Sequence, residues 1–366
     1  MNRIEIRKQV IEYVEEQVEK LVNKEKESYN LVHFCTMSHN IFHFMPSVPG
    51  NEHWNIYKKI LRDRILSTNN DYFLTFDYQN MMRNFCREKL GPYLPAIIAS
   101  FHFGERTGYF FPIIRENINL ALLSGYSGEG LIKKKEQVDK EVAFTKSFFP
   151  QSTAEIYLLS YTSKTLFFDM IKKIKDGYSV MWFPDWADKY VKIEECVEVS
   201  FLGKKIFIPK GLAIFSFMSN RPIIPLFSFY DNEMQPECAI GDIIQPDNLD
   251  IKEYIVTVTQ KLYSELEKNL KKHYCHWEGW FNIHRFTTGD DMISDYTIPE
   301  LDKKKTHKCN NNSSFFSVGQ NYFVMNRETG KIIELDHGMF DKIQQSQFND
   351  MQYDDLRILY RNGILV

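Results

Sequence analysis

The stretch Ala96-Ile97-Ile98-Ala99-Ser100-Phe101-His102-Phe103-Gly104 decides how this chain folds. Its apolar run shows no polar alternation, which is the pattern of a strand covered on both faces. The run stops at His102-Phe103-Gly104. A second stretch of the same kind, Ser179-Val180-Met181-Trp182-Phe183-Pro184, ends at Asp185. Working outward from these two, the pattern predicts a helix over 108–115, interrupted by Pro112. A strand follows over 118–123, then a helix over 133–149 and a short strand over 156–160. The next helix spans 163–176, with Gly177 as its C-terminal stop. Segments 197–201 and 204–208 flank Gly203 as a hairpin. A helix over 210–218 and a strand over 222–229 complete the series. Strands alternating with helices indicate an α/β class with a mostly parallel sheet flanked by helices. In such sheets, functional groups gather at the carboxyl ends of the strands. His102 and Asp185 both stand just after buried runs.

Before this core, Ile4, Ile6, Val10, Ile11, Val14, Val18, Leu21 and Val22 recur at helical spacing among Glu and Lys. They predict one long amphipathic helix over 4–24. Residues 31–50 are irregular and end in a loop at Pro46, Pro49 and Gly50. Helical spacing returns over 54–65 and 78–89. After the core, residues 247–272 carry Ile251, Tyr254, Ile255, Val258, Leu262, Leu266 and Leu270 at intervals of three or four, a long helix. An aromatic cluster runs from 274 to 286. Residues 287–314 then turn polar, with Lys303-Lys304-Lys305 and Asn310-Asn311-Asn312-Ser313-Ser314. Such a composition joins no core and reads as a linker. Beyond it, Phe323-Val324-Met325, a turn at Asn326-Arg327-Glu328-Thr329-Gly330 and a returning strand over 331–335 precede helices over 338–345 and 353–360. The expected organisation is therefore an N-terminal helical region (1–90), a core (91–290), a linker (291–314) and a small C-terminal domain (315–366).

Composition narrows the function classes. The 366 residues carry a net charge of −3, without the basic field of a dedicated nucleic-acid binder. Phe is abundant, with 29 residues; composition alone does not separate a Phe-rich core from an apolar tunnel. The six cysteines form no Cys-x-x-Cys pair and fit neither a zinc pattern nor a disulfide scaffold. Reduced thiols in a cytoplasmic protein are the simplest account. The charged first thirty residues resemble no signal peptide, and no apolar stretch reaches about eighteen residues. Membrane contact, if any, is then expected to be peripheral. His39 and His43 are four apart, but no acid occupies the position that a His-Glu-x-x-His zinc site needs, so no metal is expected. No Gly-rich phosphate loop and no Gly-x-Ser-x-Gly elbow is present.

Four segments carry a resemblance. IIASFHFGERTGYFF, IKKIKDGYSVMWFPDWAD, VSFLGKKIFIPKGLAIFSFMSNRPIIPLF and KHYCHWEGWFNIHRF resemble, in order and spacing, blocks of the lipid A lauroyl/myristoyl acyltransferases. Together they span roughly residues 80–286. The resemblance implies a glycerolipid acyltransferase-like fold and an acyl thioester donor on acyl carrier protein or coenzyme A, with no other cofactor. It also implies a His general base held by the acid of an H-x4-D/E motif. A hydroxyl is too weak an acid to react without a nearby base, and the imidazolium formed is steadied by an adjacent anion.

His102 fits the base, but the fifth residue after it is Thr107 rather than an acid. Glu105, three residues on, is a candidate to supply the carboxylate if the chain is helical there. Asp185 matches the acid of the second block, with an expected role in positioning donor or acceptor; the alternative is a helix N-cap. Asp188 lies in the same loop. Arg106, Arg221 and Arg285 are candidates for a carrier phosphate, which the guanidinium fork suits, and Thr107 is a candidate substrate contact.

The segment NYFVMNRETGKIIELDHGMFDKIQQ, with RILYRNGILV behind it, resembles the small winged-helix-like PqqD-type domain that recognises leader peptides. That resemblance implies peptide binding by strand addition. Combined, the two resemblances imply an acyltransferase acting on a hydroxyl or amine in peptide natural-product biosynthesis. The alternative is a catalytically silent acyltransferase-like scaffold that binds a peptide or a carrier protein.

Overall fold

The computed structural model describes residues 3–28, 30–76, 82–104, 108–187, 189–231, 233–288 and 307–366. They divide into two compact units, one of residues 1–14 and 59–279, the other of residues 15–58 and 280–366.

The first unit is α/β. Its strands are β1 (Ile97–Ser100), β2 (Leu120–Ser124), β3 (Ile156–Ser160), β4 (Ser179–Trp182), β5 (Cys196–Phe201), β6 (Lys204–Pro209), β7 (Ile223–Tyr230) and β8 (Pro236–Ile240). Six of them form one sheet in the order β3-β2-β4-β1-β7-β8, with only β8 antiparallel to its neighbour. The central β1 pairs β4 on one side and β7 on the other, both parallel. All four of its residues are buried, as a run without alternation requires. The intervening helices are α6 (Phe110–Arg115), α7 (Gly128–Lys146), α8 (Leu166–Lys175) and α9 (Gly211–Ser219), with α10 (Ile251–His273) after the sheet. Pro112 is the third residue of α6, where its missing N–H breaks no intrahelical bond. Gly177, at φ +87°, closes α8 in the left-handed conformation that glycine adopts without strain. Hairpin β5–β6 turns at Leu202 and Gly203, both at positive φ, and packs on α10.

Aromatic rings fill this core. Phe101 stacks on Phe227 at 5.0 Å, and Phe103 meets Phe227 edge-on. These phenylalanines are packed against one another, the arrangement of a core. Strand β8 was not anticipated, because Pro236 and Glu237 interrupt its apolar pattern. The helix expected over 78–89 is confined to α5 (Arg87–Leu90) among the described residues; residues 77–81 lie outside them. The preceding helices are α1 (Arg3–Glu27), α2 (Val32–Phe44), α3 (His53–Leu66) and α4 (Asn70–Phe73). Val14, Val18 and Val22 of α1 are fully buried, at the four-residue interval that keeps one helix face inward.

The second unit holds a three-stranded antiparallel sheet, β9 (Ser313–Val318), β10 (Asn321–Asn326) and β11 (Ile332–Leu335), in the order β11-β10-β9. Helices α11 (His337–Gln344) and α12 (Tyr353–Arg361) follow. Val324, Leu335, Phe340, Ile343, Leu359 and Ile364 share one core. Two expectations are corrected here. Ser313 and Ser314, assigned to the linker, begin β9; the rest of that polar stretch from 291 to 306 lies outside the described residues. Residues 31–50, expected to be irregular, contain the thirteen-residue α2. Its polar side chains point inward and are bonded there. Ser38 Oγ lies 2.6 Å from His53 Nδ1, His39 Nδ1 lies 3.0 Å from the Arg327 carbonyl, and Asn40 Nδ2 donates to the Trp280 carbonyl at 2.6 Å. A helix buried around much of its circumference shows no apolar stripe.

Candidate active site

Strands β1 and β4 run parallel in a register that pairs Ile97 with Val180 and Ala99 with Trp182. The same offset of 83 residues sets His102 against Asp185, just past the carboxyl ends of both strands. His102 Nδ1 lies 2.8 Å from Asp185 Oδ1, and the His102 backbone N–H donates to Oδ2 at 2.9 Å. Trp277 Nε1 donates to the same Oδ2 at 2.8 Å. The carboxylate therefore accepts three hydrogen bonds while only 2% exposed. A buried carboxylate is stable only when its lone pairs are satisfied in this way. With Nδ1 donating to an acceptor-only group, the His102 lone pair is on Nε2.

Three further contacts fix this arrangement. Glu278 N–H donates to the His102 carbonyl and Gly104 N–H to the His276 carbonyl, each at 2.8 Å, around an antiparallel bridge between Phe103 and Trp277. Tyr263 Oη donates to the Pro184 carbonyl at 2.9 Å, which holds the turn before Asp185. Burial and then the Asp185 charge push the Tyr263 phenol well above its usual range, so it remains a donor. The His102 ring itself lies against Phe183 at 4.7 Å and Trp186 at 5.0 Å, and its side chain is 13% exposed. The site is thus an imidazole with one nitrogen held by a buried anion, in aromatic surroundings. Such a group takes and returns a proton.

Residues 141–287 match the family model described as bacterial lipid A biosynthesis acyltransferase. The core is lipid A acyltransferase-like. No curated protein matches the chain. The match covers fewer than half of the 366 residues; it includes Asp185 and Trp277 and begins after His102. It supports acyltransferase activity in general. Among the described residues no helix is long and apolar enough to cross a membrane.

In this lipid A acyltransferase-like core, the residues singled out from sequence fall in different places. His102 and Asp185 are brought together. Glu105, Arg106, Thr107 and Asp188 lie outside the described residues. Arg221 precedes β7, which is parallel to β1, so it stands at the amino ends of the strands, whereas His102 follows their carboxyl ends. A strand length, roughly 15 Å, separates those two edges. Arg285 belongs to the second unit, in a short 3-10 turn of Ile283–Phe286. Sequence reading did not single out Trp277, although it sits in the Trp-rich segment that carried part of the resemblance. The indole N–H on Asp185 needs the fold to be seen.

Proposed function

We propose that the protein transfers an acyl group from a thioester of acyl carrier protein or coenzyme A to a hydroxyl or amine, with His102 as general base and Asp185 as its orienting carboxylate. The observation that supports this reading is the 2.8 Å contact between His102 Nδ1 and Asp185 Oδ1 at the carboxyl edge of the parallel sheet. His102 Nε2 takes the acceptor's proton as its oxygen or nitrogen attacks the thioester carbonyl. The new bond forms at that carbon, and the carbon–sulfur bond breaks. The departing sulfur receives the proton back from Nε2. Asp185 favours the imidazolium that exists between the two transfers.

The C-terminal sheet supports a proposed place for this activity. Strand β11 is an edge of the sheet, and Ile332 on it is 55% exposed. An extended peptide added to such an edge would gain main-chain hydrogen bonds. The reading is then of acyl transfer to, or directed by, a peptide in natural-product biosynthesis. The same edge favours the second reading, a silent scaffold that only binds peptide or carrier.

The test is release of free thiol from a panel of acyl thioesters, with and without candidate peptides. His102→Ala is expected to abolish release while leaving thermal stability unchanged within a few degrees. Equal release by wild type and variant would overturn the assignment of the base. Binding of donors or peptides without any release would favour the scaffold.

A further inference from the structure

Arg62-Asp63-Arg64 lies in the last turn of α3, where three consecutive charges ordinarily mark a solvated face. Asp63 is instead 1% exposed. A carboxylate that far from water is tolerated only where its oxygens are bonded. Arg62 donates to Oδ1 from Nε at 3.3 Å and from Nη2 at 3.1 Å. His276 Nδ1 lies 2.5 Å from Oδ2, and His276 is itself buried. The next residue, Arg64, forms an ion pair with Glu278, Nη2 to Oε2 at 2.9 Å, and the Glu278 side chain is 1% exposed. Adjacent residues of α3 thus take hold of two residues that are two apart.

Between those two stands Trp277. Its backbone is extended, at φ −89° and ψ 116°. Successive side chains of an extended chain point to opposite sides. His276 and Glu278 accordingly meet α3, while the Trp277 indole meets Asp185. The backbone of the same three residues is bonded to the His102 loop, through Gly104 N–H to the His276 carbonyl and Glu278 N–H to the His102 carbonyl. Gly104 also touches α3 directly, since a Cβ on it would stand 2.8 Å from Asp63 Oδ2. A larger residue there must push the carboxylate off His276. The family match, over residues 141–287, does not reach α3. Apolar side chains of similar volume would hold α3 here about as stably as two buried ion pairs do. What the ion pairs add is direction, because a bonded charge pair fixes an angle that an apolar contact leaves open.

We propose that Asp63 and Arg64 are positioning residues for proton transfer. Through His276 and Glu278 they hold Trp277 so that its indole keeps the Asp185 carboxylate in line with His102 Nδ1. The consequence for catalysis rests on the function proposed above; the clamp itself does not. Neither residue touches substrate or carries the proton. Their effect falls on kcat rather than KM, because the carboxylate they align acts when the imidazolium forms. It passes through one hydrogen bond, so it disappears once that bond is removed.

The test uses full-length protein with isotope-labelled tryptophan, read by NMR, and the same thioester panel. The Trp277 indole N–H resonance is assigned by its loss in Trp277→Phe, and its dependence on the carboxylate by its shift in Asp185→Asn. Asp63→Asn and Arg64→Met are expected to move it toward the position it takes in Asp185→Asn. Arg64→Lys, which keeps the charge, is expected to move it less. Thermal unfolding checks that each variant is folded; Arg64, with its side chain 34% exposed, is the milder site should Asp63→Asn not fold. In thiol release, both substitutions are expected to lower kcat by about threefold to tenfold, with KM within about twofold. Placed in Trp277→Phe, each is expected to lower kcat further by less than about twofold, because residues acting through one bond are not additive. An unmoved indole resonance in the folded variants overturns the proposal. So do full multiplicative losses in the double variants, which independent structural contributions would give. A shifted resonance with equal release by wild type and His102→Ala would keep the clamp and sink the assignment of the base. His102-dependent release with an unmoved resonance would sink the clamp alone.

Discussion

Asp185 accepts from the His102 ring, the His102 backbone and the Trp277 indole, so its removal should affect catalysis more than binding. Asp185→Asn keeps the shape and loses the charge that favours imidazolium. A fall in kcat on the order of a thousandfold is expected, with KM within a few-fold. Trp277→Phe removes one hydrogen bond to a charged group, worth ~1.5 kcal/mol, and should lower kcat about tenfold. Steady-state kinetics with any accepted thioester decide both. Glu105 was the carboxylate that sequence suggested for His102. With Asp185 in that role, Glu105→Gln and Thr107→Ala should have equal and mild effects. A sharp loss in Glu105→Gln alone would return the role to Glu105. The pairing of His102 with Asp185 was half legible in sequence: both follow buried runs, but only the register of β1 against β4 puts them side by side. Asp63 gave no signal at all, because nothing in the order of residues in α3 points to a histidine more than two hundred positions away.

At the scale of elements, uniform apolar runs identified β1, β2, β3, β4 and β7, and helical spacing identified α1, α3, α8 and α10. The elements that escaped have polar residues inside or interrupted patterns. Helix α2 buries Ser38, His39 and Asn40, each bonded to a distant group, so its pattern is not amphipathic. Strand β9 begins with two serines that read as linker. Helix α10 was legible from its spacing, but the sequence put its start at 247 rather than Ile251, and the observed start has a local cause. Asp250 Oδ1 accepts from the N–H groups of Lys252 and Glu253 at 2.9 and 3.3 Å. Asp250→Ala should cost about 1 kcal/mol, read by urea unfolding, with little change in thiol release.

For the whole molecule, buried histidines set the response to acid. His53 and His284 are held down to about 4, by burial first and then by the nearby charges of Arg327 and Arg285 respectively. Burial also lowers His39. All three belong to the second unit. An unfolded histidine titrates near 6.5. Below that pH the unfolded chain binds protons that folded His53 and His284 refuse until about pH 4, and His39 resists protonation in the same direction. Stability should therefore fall between pH 6.5 and 4, by a few kcal/mol in all, and level off below. His276 in the first unit behaves oppositely. Burial lowers its pKa, but the Asp63 and Cys275 contacts outweigh this and raise it. Its contribution is present below pH 6.5 and is lost as pH rises through the raised value. Hydrogen exchange at pH 7 and pH 4.5 should show the second unit loosening in acid while the amides around Asp63 and His276 stay protected. Equal loosening of both would contradict this.

The bridge between Phe103 and Trp277 has a consequence for synthesis. Every strand of the six-stranded sheet has been made once the ribosome passes Ile240, yet Trp277 and Glu278 come later, after the whole of α10. A nascent chain stalled before α10 ends would contain every strand of the sheet, while Asp185 lacked its indole and the His102 carbonyl its donor. Under the proposed function, the hydrogen bonds that hold His102 and Asp185 are therefore completed only when the residues after α10 have been made.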